Sequence, residues 1–147
     1  KSTFNKNTDL LLYLAARSEN ITKLKKNYKK KVIIIDRFTD STIAYQHYGM
    51  GINQSLIKIL NKFTLENFKV DFTFLNIVNQ SNMITRLKSR KKTNRYDKFN
   101  LSFYRKVQNG YIKMSKINKK KYQIINSNED VQKNKKIIIK KINQLLR

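Results

Sequence analysis

The chain has 147 residues, with 33 Lys plus Arg against nine Asp plus Glu, one His, no Cys and no Pro, and a formal net charge of +24. That length suits a single domain, and 39% apolar with 11% aromatic content supports a modest core rather than a disordered polyelectrolyte. The lack of cysteine excludes a disulfide framework, no apolar run reaches the ~20 residues of a membrane span, and the polar opening stretch carries no signal-peptide core, so a cytoplasmic protein is expected.

Leu10, Leu14, Ile21, Leu24 and Tyr28 recur at steps of three, four or seven, which predicts a helix from Thr8 to about Lys30, capped by Asn7 or Thr8. Val32, Ile33, Ile34 and Ile35 are a β-branched run too short for a helix and apolar on both faces. They read as a strand buried on both sides that ends in Asp36-Arg37. Gly49 and Gly51 mark a turn, and Leu56, Ile57, Leu60 and Phe63 make a second amphipathic helix.

A second buried strand is expected at about Phe72 to Val78, and a third helix from Ser81 to Arg90. After a densely charged stretch, Phe99, Phe103, Val107, Tyr111, Met114 and Ile117 share one face of a long helix. A short strand at Tyr122 to Ile125 and a last helix from about Asp130 close the chain. Strands separated by helices imply right-handed crossovers, hence an α/β fold with a parallel sheet flanked by helices. Ligands of such sheets sit at the carboxyl ends of the strands.

That rule directs attention to DRFTDSTIAYQHYG, Asp36 to Gly49, where a strand delivers a carboxylate and a guanidinium into the expected crevice. Arg37 offers a planar fork for phosphate oxygens, and Asp36 beside it suits a Mg²⁺-bound water or the orientation of the Arg. Ser41, Thr42, Tyr45 and Gln46 follow within two turns, so a short helix from Ser41 would aim hydroxyls, a phenol and an amide at the same crevice. Tyr13 and Arg17, four apart, put an aromatic ring and a guanidinium on one helical face, suited to stacking a base and donating to its carbonyl. His47 is assigned no role.

LLYLAAR (Leu11 to Arg17), DRFTDSTIAYQ (Asp36 to Gln46) and NRYD (Asn94 to Asp97) with the Tyr104 to Tyr111 stretch resemble bacterial thymidylate kinase in order and spacing. The resemblance implies a P-loop kinase fold and transfer of the γ-phosphoryl group of ATP to dTMP, giving dTDP, with Mg²⁺ as cofactor and a homodimer as the assembly. Position by position, Tyr13 corresponds to the ring that stacks on thymine and Arg17 to the Arg at a thymine carbonyl. Arg37 corresponds to the grip on the dTMP phosphate, and Asp36 to the carboxylate near the metal. Ser41 and Thr42 fall near base and phosphate, Tyr45 against the deoxyribose where a ring disfavours a 2′-hydroxyl, and Gln46 on the same wall. Arg86, Lys88, Arg90 and Arg95 fall on a basic lid, about residues 86 to 96, that closes over the ATP phosphates. A mobile basic loop of that kind suits phosphoryl transfer, in which charge spreads over oxygens in line.

Three residues depart from the family pattern: Lys88 where relatives often carry Arg, Asn94 where an Asp usually precedes Arg95, and Met50 between the two glycines. Lys88 keeps the charge but loses the fork. The larger departure is the P-loop. The pattern G-x-x-x-x-G-K-[ST] cannot be met, because the only glycines are Gly49, Gly51 and Gly110. The resemblance places the missing first strand between the strands at Val32 to Asp36 and Phe72 to Val78. The chain is therefore expected to be the carboxyl-terminal part of a longer kinase, with its N-terminal strands missing, and inactive by itself. Two alternatives are another nucleoside monophosphate kinase and a non-enzymatic basic nucleic-acid-binding domain. The second rests on runs such as Lys23 to Lys31, and no specific nucleic acid or membrane partner is expected.

Overall fold

The computed structural model describes residues 5–26, 31–91 and 95–146, with the side chains of Arg95 and Lys98 outside that description. Helix α1 (Lys6–Lys25) buries Leu10, Leu14 and Ile21, as its spacing predicts, and the expected continuation through residues 27–30 lies outside the described residues. Its N-cap is Asn5, not Asn7 or Thr8: the Asn5 side chain accepts from the Asn7 and Thr8 N–H groups at 2.9 and 2.8 Å. These are two of the four donors that a helix start leaves without an intrahelical acceptor.

Helix α2 (Thr39–Thr42) runs directly into a π-helical segment, Ile43–Gly49. Gly51, with φ of 75°, turns the chain into α3 (Gln54–Leu65), capped by Asn53. Strand β1 (Thr73–Ile77) leads to α4 (Gln80–Lys88), capped by Asn79, and a 3₁₀ turn at Arg95–Lys98 precedes α5 (Leu101–Ile117), capped by Asn100. Strand β2 (Tyr122–Asn126) and α6 (Val131–Leu145), capped by Asp130, complete the order. The abundant asparagines thus supply most of the helix caps, a role for which their side-chain carbonyl is well suited.

β1 and β2 pair in parallel, from Thr73 opposite Tyr122 to Ile77 opposite Asn126, with α4 and α5 in the crossover between them. Such a crossover is what a parallel pair demands. The expected strand at Val32 to Asp36 is a correction. Residues 32–35 are not part of any described strand, and Val32 and Ile34 are 62% and 84% exposed rather than buried on both sides. Without a neighbouring strand to accept and donate its backbone hydrogen bonds, an apolar β-branched run has no ladder to join and no layer to cover it.

The core has two centres. Leu10 and Leu14 of α1 meet Ile52 and Ile57 around α3, while Ala44 meets Phe103, Val107 and Met114 of α5. Phe99 and Phe103 stack with ring centroids 4.1 Å apart, extending the second centre towards the turn at Arg95–Lys98. Between these centres α1, the π-helical segment and α5 form three walls of one cleft.

Candidate functional site

The cleft has a volume of about 1080 Å³. Its walls include Tyr13 and Arg17 of α1, Asp36 and Arg37 at the end of the extended segment, and Ser41, Thr42, Tyr45 and Gln46 along α2 and the π-helical segment. Arg86 and Arg90 approach from α4 and the residues after it. Residues separated by more than seventy positions in the chain thus share one concavity. Lys88 is not among the lining residues, and the Arg95 side chain lies outside the described residues.

Arg37 occupies the left-handed region with φ of 65°, a conformation that costs an ordinary L-residue about 1 kcal/mol or more. This turn redirects the chain between the extended segment and α2, and it sets the guanidinium carbon 5.3 Å from the Tyr45 ring centroid. Burial alone would lower the Arg37 pKa, but the Tyr45 and Tyr111 hydroxyls and the Asp36 carboxylate outweigh it and raise the pKa, so the cation is secure. Left-handed non-glycine residues cluster where surrounding structure holds a side chain for function.

Arg17 reaches across from α1. Its Nη1 donates to Asn61 Oδ1 at 3.1 Å and its Nη2 to the Phe38 carbonyl at 3.2 Å, with the guanidinium carbon 5.4 Å from the Phe38 ring centroid. Burial lowers its pKa, an effect partly offset by Asp40. Two bonds do not exhaust the five N–H donors of a guanidinium. Asn61, buried on α3, therefore orients Arg17 against the turn that carries Arg37.

Ser41 and Tyr111 share a 2.6 Å hydrogen bond between hydroxyls, which ties α2 to α5, while the Tyr122 hydroxyl donates to Asp40 and ties α2 to β2. Burial raises the Tyr111 and Tyr122 pKa values, so both phenols remain neutral donors or acceptors at ordinary pH. Thr42 and Gln46 lie beneath the wall: both are buried, and the Gln46 amide nitrogen is 3.4 Å from Asp9 Oδ2 and 3.4 Å from the Tyr96 hydroxyl. Gln46 is thus engaged with protein groups in addition to lining the cleft.

On the opposite side, Arg90 Nη1 pairs with Asp97 Oδ1 at 2.8 Å, joining the two ends of the basic stretch, and the Arg86 Nη2 donates to the Ser127 carbonyl at 2.6 Å. Gln108 of α5 clasps the backbone after β1, accepting from the Val78 N–H at 3.1 Å and donating to its carbonyl at 3.0 Å. Among the described residues no group of three or more His, Cys, Asp or Glu could hold a metal ion.

The sequence reading missed Asp9, Asn61, Tyr96 and Gln108. One signal was available: Asp9, Tyr13 and Arg17 are spaced four apart, so they share one face of α1. The other three depend on contacts over long chain separations, which no local pattern encodes.

The family model for thymidylate kinase matches residues 1–138. A thymidylate kinase of Trichodesmium erythraeum is 40% identical over 113 residues, covering 76% of this chain and 50% of that protein. The corresponding protein of Ehrlichia chaffeensis is 37% identical over 120 residues, covering 80% and 57%. The crystal structure of thymidylate kinase from Ehrlichia chaffeensis superposes with a TM-score of 0.74 at 30% identity, covering 97% of this chain and 67% of that one. The chain thus spans about half to two thirds of the length of these relatives.

Proposed function

The chain belongs to the thymidylate kinase family, and on that premise we propose that its cleft is the dTMP-binding half of an enzyme that transfers the γ-phosphoryl group of ATP to dTMP, giving dTDP. One observation carries this reading: Tyr13 and Arg17 of α1 and Arg37 and Tyr45 around α2, from two separate parts of the chain, wall the same cleft. Arg37 binds the phosphate monoester through its fork, and its raised pKa keeps it cationic throughout the working range. Tyr13 stacks on thymine, Arg17 donates to a thymine carbonyl, and Tyr45 lies against the deoxyribose. Ser41 and Thr42 complete the wall near the base and phosphate, and Gln46 stiffens it from below.

Arg86, Lys88, Arg90 and Arg95 form the basic lid that meets the ATP phosphates, where fixed positive charge stabilises oxygens that gain charge in transfer. Arg90 is paired with Asp97 with the lid at rest, so closure exchanges that partner for phosphate. Asp36 would hold Mg²⁺ through a bound water, and the ion would supply positive charge to the phosphates. No P-loop pattern, G-x-x-x-x-G-K-[ST], occurs in these 147 residues.

A homodimer is the assembly this reading favours, and Leu56, Ile59 and Phe63, exposed on one side of α3, offer apolar surface for it. No described helix is long and apolar enough to cross a membrane. The test is an assay that couples ADP formation to dTMP. Turnover by a longer chain carrying G-x-x-x-x-G-K-[ST], with none by these 147 residues, is the expected result. Turnover by the 147 residues alone would overturn the division of labour, and none by either would overturn the activity.

A further inference from the structure

Asp9 is 1% exposed and is a carboxylate with no part in the roles above. The Tyr96 hydroxyl donates to its Oδ2 at 2.6 Å, and the Gln46 amide nitrogen lies 3.4 Å from both groups. Tyr96 stands in the 3₁₀ turn that ends the basic stretch, 87 positions from Asp9. Its ring lies 5.2 Å from that of Tyr45, edge to face at 86°, and 6.4 Å from that of Tyr13, tilted by 40°. Its carbonyl accepts from the Tyr104 hydroxyl at 2.8 Å, and the next residue, Asp97, is paired with Arg90.

We propose that Tyr96 is a positioning residue for the nucleoside: anchored by its hydroxyl on the buried Asp9 carboxylate, it holds the Tyr13 and Tyr45 rings in the arrangement that receives the base and sugar. This rests on the reading of the cleft as a dTMP site and adds to it a residue of the same wall whose part is to hold the two rings. The physical case is that both rings lean on Tyr96 and that Tyr96 cannot rotate without giving up a charge-assisted hydrogen bond in a buried setting. Burial, then the hydrogen bonds to Asp9 and Tyr13, raise the Tyr96 pKa well above the ordinary tyrosine range, so the hydroxyl keeps its proton and remains a donor.

The test compares two probes on the full 147-residue chain by titration calorimetry: dTMP, and inorganic phosphate, a base-free phosphate that keeps the anion and lacks both base and sugar. Tyr96→Phe removes the hydroxyl alone. It is expected to weaken dTMP about five- to twentyfold while leaving the base-free phosphate within about twofold, because Arg37 is untouched. Asp9→Asn keeps an acceptor oxygen without the charge and is expected to lose about two- to threefold for dTMP only. This variant also guards against the case where Tyr96→Phe fails to fold. Equal loss for both probes, or no loss for dTMP in either variant, would overturn the positioning role. A parent chain that binds the base-free phosphate and dTMP equally would instead overturn the dTMP reading, and the positioning role with it.

Discussion

Arg37 lies over the ring of Tyr45, its guanidinium carbon 5.3 Å from the centroid, while its own backbone is held at φ of 65°. The backbone conformation and the side-chain contact belong together: the left-handed turn is what swings the guanidinium from the end of the extended segment into the cleft. An ordinary residue resists that conformation, so the position separates stability from function.

Replacing Arg37 with Gly removes the left-handed penalty and the guanidinium together. The expected outcome is a fold stability that is unchanged or raised by up to about 1 kcal/mol, since the relief is partly cancelled by the flexible glycine in the unfolded chain. Affinity for dTMP is expected to fall about 10- to 100-fold, the range for a charge-assisted phosphate contact of about 1.5–3 kcal/mol. Thermal denaturation and calorimetry on the same preparation check both halves.

Gly110 lies inside α5, where Ala would normally be the better helix former by about 1 kcal/mol. Here a Cβ would overlap the ring of Tyr48, which packs directly on the helix backbone. Gly110→Ala is therefore expected to destabilise by about 1–3 kcal/mol, the range for overpacking. A rise in denaturation midpoint would mean that Tyr48 is free to move aside.

Ile34 is 84% exposed, so Ile34→Thr is expected to change stability by less than about 0.5 kcal/mol in this chain. A residue buried on both sides of a sheet would lose about 2 kcal/mol or more on the same change. Urea titration distinguishes the two directly.

Burial, aided by Asp97 and Tyr45, pushes the Tyr104 phenol up from 10.0 to about 12. A raised folded-state value means that the neutral phenol is favoured by folding. Its contribution to stability is complete below pH 10 and is lost as the pH rises to about 12. The denaturation midpoint of Tyr104→Phe is expected to fall less steeply than that of the parent chain across that window. Parallel curves would contradict the shift.

The elements with strong local signals were readable from the sequence. Leu10, Leu14 and Ile21 mark α1 by spacing alone, Phe103, Val107 and Met114 mark α5, and Phe72 to Val78 brackets β1. The run Val32 to Ile35 carries an equally strong signal and failed, because periodicity reports what a segment can bury and not whether a neighbour is there to cover it. Much the same division holds at the cleft. Tyr13, Arg17, Arg37 and Tyr45 were found from motif and helical spacing, and all line one concavity. Asp9 and Tyr96 were missed, since a carboxylate at 1% exposure gains its meaning from a partner 87 residues away. The π-helical segment was missed as well. Its backbone register, with the Met50 N–H donating to the Tyr45 carbonyl at 2.9 Å, leaves no trace in residue spacing.

The most direct measurement is a calorimetric series on the 147-residue chain with dTMP, dUMP, dGMP and thymidine monophosphate carrying a ribose. The account predicts saturable binding that is tightest for dTMP, weaker for the ribose form because Tyr45 crowds the 2′ position, and weakened about 10- to 100-fold on Arg37→Gly. Binding that ranks dGMP or dUMP above dTMP, or that is unchanged by the loss of Arg37, would contradict it.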